Sequence, residues 1–296
     1  MMPEDDAPPA YSRYPDQDPS AAAVPDGRSP NANTPSTPAP ALPPRSQPTS
    51  PQTSFPSPST PQKFPVSWTL YRGPGSGTLL LKADSSNGPS PPLFAVSQTP
   101  NPSAGQPNLT LHEGPSTDAP ALATGERHKT FTGGIHSVIS LPGSGSGISP
   151  EEPLRTLVSW PHISYAFDVD VGTADPSGKN LGRLRRETFE WRHSAGSAIT
   201  WLGAASTGWK LLRLSADPPP GLKTEEWSFT GGGEFSSDGK EIVAVWADAR
   251  RSQGPDGCMK FKFLGTGASG VLGERWTVMA VMSALRMWQQ GEIARR

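Results

Sequence analysis

The segment Glu274–Gln290 constrains this chain more than any other. Between Trp276 and Trp288 only Thr277, Ser283 and Arg286 are polar, and on a helical wheel these three do not merge into one wet face. Ala, Met, Leu and Gln favour helix. Glu274 places negative charge at the positive end of the helix dipole, and Gly291 predicts the stop. A helix that is apolar nearly all round is enclosed by protein or by lipid. At ~1.5 Å per residue the stretch from Trp276 to Trp288 is about 20 Å long, short of the ~30 Å bilayer core. What remains is a core helix wrapped by protein.

The wrapping material precedes it. Residues 65–272 read as short strands separated by Gly- and Pro-rich turns. The expected strands are Val66–Arg72, Thr78–Ala83, Leu93–Gln98, Leu109–Glu113, Ala121–Thr124, Ile135–Leu141, Leu154–Trp160, Ile163–Val169, Leu184–His193, Trp209–Leu214, Glu226–Phe229, Glu241–Ala247 and Met259–Leu264. In Arg186–His193, Phe189 and Trp191 point one way, and Arg186, Thr188, Glu190 and Arg192 point the other. In Met259–Leu264 the apolar residues share one face, with Lys260 and Lys262 on the opposite one. Ile242–Ala247 is apolar throughout, which predicts a strand covered on both sides. Thr207-Gly208 and Ser237-Asp238-Gly239-Lys240 read as hairpin turns. Many short strands followed by one all-apolar helix suggest a closed antiparallel barrel of about twelve strands around a buried C-terminal helix. Closure also removes the exposed edges that so many strands would present.

Residues 1–64 are different. The first sixty hold 16 of the 36 prolines and none of the nine tryptophans. Proline removes amide donors, and few large apolar residues are present to offset chain entropy, so a disordered tail is expected. Its Ser/Thr-Pro pairs, such as Thr34-Pro35 and Ser57-Pro58, and Pro40-x-x-Pro43 suit phospho-dependent or SH3/WW-type partners. The simpler reading is an entropic spacer, because low-complexity tails generate such pairs freely. The first sixty residues carry six acidic and three basic residues, so the rest of the chain, with a whole-chain net charge of −1, is close to neutral at +2. That is far from the basic footprint of a nucleic-acid binder. One cysteine, Cys258, excludes an intrachain disulfide and fits a reducing, cytoplasmic compartment.

Three features resemble the tubby C-terminal superfamily, in particular its LURP-one-related and scramblase-like members. One is the opening Trp68-Thr-Leu-Tyr71, Leu79-Leu-Leu81, Leu93-Phe-Ala-Val96. Another is Leu109-Thr-Leu-His-Glu-Gly114 followed by Pro120-Ala-Leu-Ala-Thr124. The last is the strand Lys260–Leu264 leading into Trp276–Trp288. The resemblance covers roughly residues 66–290. It implies a twelve-stranded antiparallel barrel around a C-terminal hydrophobic helix, and lipid binding at membrane surfaces. The paired basic residues that read phosphoinositide head groups in tubby find no match, so no binding residue is carried across.

Chemical motifs are few. Gly265-Thr-Gly-Ala-Ser-Gly270 spells G-x-G-x-x-G, but too little chain follows for a βαβ unit, and a turn into the barrel is the simpler reading. The histidines His112, His128, His136, His162 and His193 lack metal-site spacing, and no G-x-S-x-G elbow occurs. Asp168 and Asp170 suit either calcium or a solvated strand end. The tryptophans suit base stacking or core packing, with core packing favoured. The basic residues Arg183, Arg185, Arg186 and Arg192, with Lys260 and Lys262 if their strand is adjacent, are the candidate site for an anionic head group. The alternative is a solvated face neutralised by Glu187 and Glu190. The expected protein is therefore a tail, 1–64, ahead of a barrel, 65–292, with no cofactor and no transmembrane segment. Its expected role is non-enzymatic binding or adaptor work at anionic membranes. A scaffold with an inert barrel and a partner-recruiting tail is the alternative, and an enzyme on an all-β scaffold the least favoured.

Overall fold

The computed structural model describes residues 63–85, 88, 90–100, 102–103, 106–129, 135–141, 150–159, 162–172, 184–220, 235–249 and 257–295. Twelve strands form one closed antiparallel barrel. They are β1 (Ser67–Arg72), β2 (Thr78–Ala83), β3 (Pro92–Gln98), β4 (Leu109–His112), β5 (Ala121–Lys129), β6 (Ile135–Ser140), β7 (Glu151–Ser159), β8 (His162–Val171), β9 (Arg185–Ser194), β10 (Gly208–Arg213), β11 (Glu241–Asp248) and β12 (Gly257–Phe263). Each pairs with its sequence neighbours, and β1 closes on β12. Twelve of the expected strands are found. The thirteenth, Glu226–Phe229, lies outside the described residues, as does nearly all of the expected tail. Phe64, assigned to that tail, instead stacks on Phe94 in the core at 4.5 Å.

Among the described residues three helices accompany the strands: α1 (Ser197–Thr200), α2 (Gly265–Ser269) and α3 (Gly273–Ala294). α3 is the predicted plug. Its residues from Trp276 to Gln289 are all buried. Trp276 meets Phe189 and Phe263 at 5.7 and 5.8 Å, and Trp191 on β9 donates its indole N–H to Ser283 Oγ at 2.9 Å. Burial of side chains of this size is worth ~1.5–3 kcal/mol each. The helix does not stop at Gly291 but runs on to Ala294. A glycine inside a helix costs only ~1 kcal/mol, and beyond it Arg295 ties the helix end down by donating to Glu292 and Asp248 at 2.8 and 2.7 Å. Among the described residues no helix is long and apolar enough to cross a membrane.

Entry into the barrel needs two glycines. A Cβ on Gly267 would lie 2.2 Å from Val243 O and 2.7 Å from Trp276 Cη2. Gly273 has φ +88°, and a Cβ there would lie 2.1 Å from Gly172 O. The G-x-G-x-x-G segment is thus a tight packing corner, and Glu241 already takes its amide: Thr266 N–H and Oγ1 donate to that carboxylate at 2.7 and 3.0 Å.

β11 is covered on both sides, as its composition predicts. Inside, Val243, Ala244 and Trp246 join the main core. Outside, Ile242, Val245 and Ala247 are capped by Ala198, Ile199, Leu202 and Ala204. The expected hairpin at Thr207-Gly208 is absent, because the β9–β10 connection spends residues 195–207 on α1 and its flanks. Gly208 has its own reason to be glycine: a Cβ would lie 2.3 Å from Trp246 O.

Candidate binding face

The arginines of β9 do not act together. Arg185 lies on the inward-facing side with Glu187, Phe189 and Trp191, whereas Arg186 and Arg192 lie on the outward side. Arg185 donates to Glu187 Oε1 at 2.9 Å and to Pro218 O at 2.8 Å. Arg186 grips Glu152, with Nη1 to Oε1 at 2.9 Å, and lies 3.5 Å from Asp170. Hydrogen bonding to Glu152 raises its pKa above the usual guanidinium value, against the effect of burial. Arg192 donates to Glu190 at 2.9 Å and to Asp238 at 2.7 Å. Burial pushes the Glu190 carboxyl up, but hydrogen bonds from Arg192 and Ser164, together with the charge on Arg192, outweigh it and hold it low. Asp238 is held at about 2 by its bonds from Ser236 and Arg192. Arg183 lies outside the described residues.

The aspartates on β8 are equally occupied. Asp168 accepts from Arg155 at 2.5 Å and from Thr188 at 2.6 Å. Those bonds keep its pKa low despite partial burial. Among the described residues no cluster of His, Cys, Asp and Glu could hold a metal ion. His112, buried, bonds Ser97 and the carbonyl of Ala119.

Lys260 and Lys262 sit on β12, with β11 and β10 between them and β9. Lys260 lies 3.6 Å from Asp84. The barrel nevertheless joins Lys262 to the arginine strand by register. Arg192 pairs with Lys210, Lys210 with Val245, and Val245 with Lys262. At ~4.8 Å per strand, Lys210 and Lys262 stand about 10 Å apart on the outer face. Among the described residues no carboxylate lies within ion-pair distance of either lysine. Between them α1 caps Val245, and Trp201, immediately after α1, is 73% exposed. The other described tryptophans are buried or half-buried.

The row runs to the rim of the barrel. There a groove of about 640 Å³ is lined by Tyr165, Trp209 and His193 from the inward set and by Glu190 and Arg192 from the outward set. Trp209 meets Tyr165 and His193 edge-on at 5.4 and 5.5 Å. Burial raises the Tyr165 hydroxyl pKa, so it is a neutral donor at physiological pH. Beside it, Leu157, Val158 and Ile163 on the facing ends of β7 and β8 are exposed, Val158 at 74%.

Lys210 and Trp201 escape sequence reasoning for separate reasons. Period-2 alternation in Gly208–Arg213 sets Lys210 opposite Trp209, but only strand order reveals its neighbours. Trp201 looks like any other core tryptophan until α1 is seen to pack with it on the outside. The face belongs to an up-and-down twelve-stranded barrel filled by its own C-terminal helix. Comparison with family models, curated proteins and solved structures finds no match to the chain.

Proposed function

We propose that this chain is a non-enzymatic binding protein that docks on anionic lipid surfaces through the outer face of β9–β12. The observation that carries the reading is Trp201, exposed immediately after α1, the helix that caps Val245, with Lys210 and Lys262 flanking Val245 on the neighbouring strands and no described carboxylate neutralising either lysine. Tryptophan prefers the headgroup level of a membrane, where its ring is half wet and half apolar. A lysine near an anionic surface contributes ~1 kcal/mol. The exposed apolar ends of β7 and β8 add further contact area. This keeps the lipid expectation and moves it from the Arg183–Arg186 run, whose described members hold carboxylates, to Lys210 and Lys262. The likeness to tubby-type barrels is in keeping with a lipid-facing role, without lending any residue to it.

Co-sedimentation of the full chain with phosphatidylcholine vesicles, with and without phosphatidylserine, tests this. Binding should require phosphatidylserine and weaken as salt rises. Replacing Lys210 and Lys262 by Gln should remove ~2 kcal/mol, roughly thirtyfold in affinity, and Trp201→Ala should weaken it further. Equal binding to both vesicle types, or binding unmoved by all three substitutions, would overturn the reading.

A further inference from the structure

Of the three polar residues between Trp276 and Trp288 on the buried helix, two are satisfied by the helix itself. Thr277 Oγ1 donates to Gly273 O at 2.9 Å, and Ser283 Oγ donates to Ala280 O at 3.0 Å while accepting from Trp191. Arg286 has no such solution. It is 1% exposed. Its Nε donates to Ser137 Oγ at 3.0 Å and its Nη1 to Gln289 Oε1. Both acceptors are neutral, and among the described residues no carboxylate lies within ion-pair distance. A buried cation without a countercharge is costly.

The surroundings deepen the imbalance. Ser137 Oγ also accepts from Gln290 Nε2 at 3.0 Å, so its own proton has no acceptor among the described residues. The Gln289 amide N–H is spent on Asn108 O at 3.0 Å. Arg127 pairs with Ser137 across β5 and β6, which sets it on the inward side, yet it is exposed. It too meets no carboxylate among the described residues. Burial, and secondarily the charge on Arg127, lower the Arg286 pKa to about 10, which leaves it charged at neutral pH. Donors therefore outnumber acceptors on one side of the helix, and Arg127, exposed to solvent, stands next to Ser137 on the same inward row.

We infer that this barrel end holds a phosphate-type oxyanion between Arg286, Arg127 and the hydroxyl of Ser137. Such a group supplies only acceptors and two negative charges, and guanidinium forks match its oxygens. The site lies on the β5–β6 side of the barrel, so it stands apart from the lysine row and independent of the membrane reading.

Thermal unfolding of the full chain with inorganic phosphate, against sodium chloride at equal ionic strength, tests the inference. A second arm uses monomeric dioctanoyl phosphatidic acid against dioctanoyl phosphatidylcholine. Phosphate or phosphatidic acid should raise Tm saturably, as a ligand of the folded state does. The phosphate arm alone identifies free phosphate as the source, and the lipid arm alone identifies a head group. Arg127→Gln, at an exposed position, should weaken the response about tenfold, and Arg286→Met should abolish it. The Lys210→Gln, Lys262→Gln protein should respond like the parent. No shift in either arm beyond its control, or a full response in the Arg127→Gln protein, would overturn the site.

Discussion

The two fully buried arginines among the described residues, Arg213 and Arg286, live under opposite conditions. Arg213, at the end where α3 enters, is 0% exposed and surrounded by acid. It donates to both oxygens of Glu187 at 2.6 and 2.9 Å and to Asp217 O at 2.6 Å, and it lies 3.9 Å from Glu241. Burial raises the Glu241 pKa, with bonds from Thr266 and the charge of Arg213 opposing. Arg286, at the other end, has an amide and a hydroxyl. The same side chain serves as an internal ion pair in one place, with its Nη1 left without a hydrogen bond, and as a charge without a described countercharge in the other.

The largest effect that sharpens this contrast comes from size-matched replacement. Arg213→Met leaves buried Glu187 with only the half-exposed Arg185 as countercharge and should cost about 3 kcal/mol in urea or thermal unfolding. Arg286→Met removes a charge that no described carboxylate balances, and should cost under about 1 kcal/mol or even stabilise. Equal losses in the two proteins would erase the distinction drawn here. A much smaller effect is expected on the outer face, at Asp238. Its folded pKa of about 2 lies below the ordinary carboxylate value. Its contribution is therefore present above pH ~4 and lost as pH falls towards 2. For an exposed pair the amount is ~1 kcal/mol or less. Asp238→Asn should flatten that part of the acid-unfolding curve and leave neutral stability nearly unchanged. A large loss at pH 7 would mean that the loop carries more than a surface pair.

Much of the fold was readable from residue order, because periodicity reports which faces are dry. The all-apolar helix with its three polar exceptions, the alternation in β9 and β12 and the two-sided strand β11 all follow from that rule. Site geometry follows from different information. Arg185 and Arg186 are neighbours in the chain yet face opposite sides of the sheet, so a run of basic residues overstated their cooperation. The Arg192–Lys210–Lys262 row depends on strand order and on register, and a bulge at Leu211/Leu212 offsets the β10–β11 pairing just beyond it. No local pattern encodes that offset. Arg286 stood out by composition, but its lack of an acidic partner is a fact about β5 and β6, far away in the chain. Trp201 was hidden because α1, four residues long, is too short to leave a helical period.

The double cover on β11 also bears on how the molecule comes apart. A strand held between the plug inside and the α1 cap outside has no route by which solvent reaches its amides locally. Val243–Trp246 should therefore exchange hydrogen for deuterium only when the whole barrel opens, at the slowest rate in the chain. The ends of β7 and β8 near Val158 and Ile163 should exchange early. The barrel would then unzip from that side, leaving β11 as the last ordered remnant.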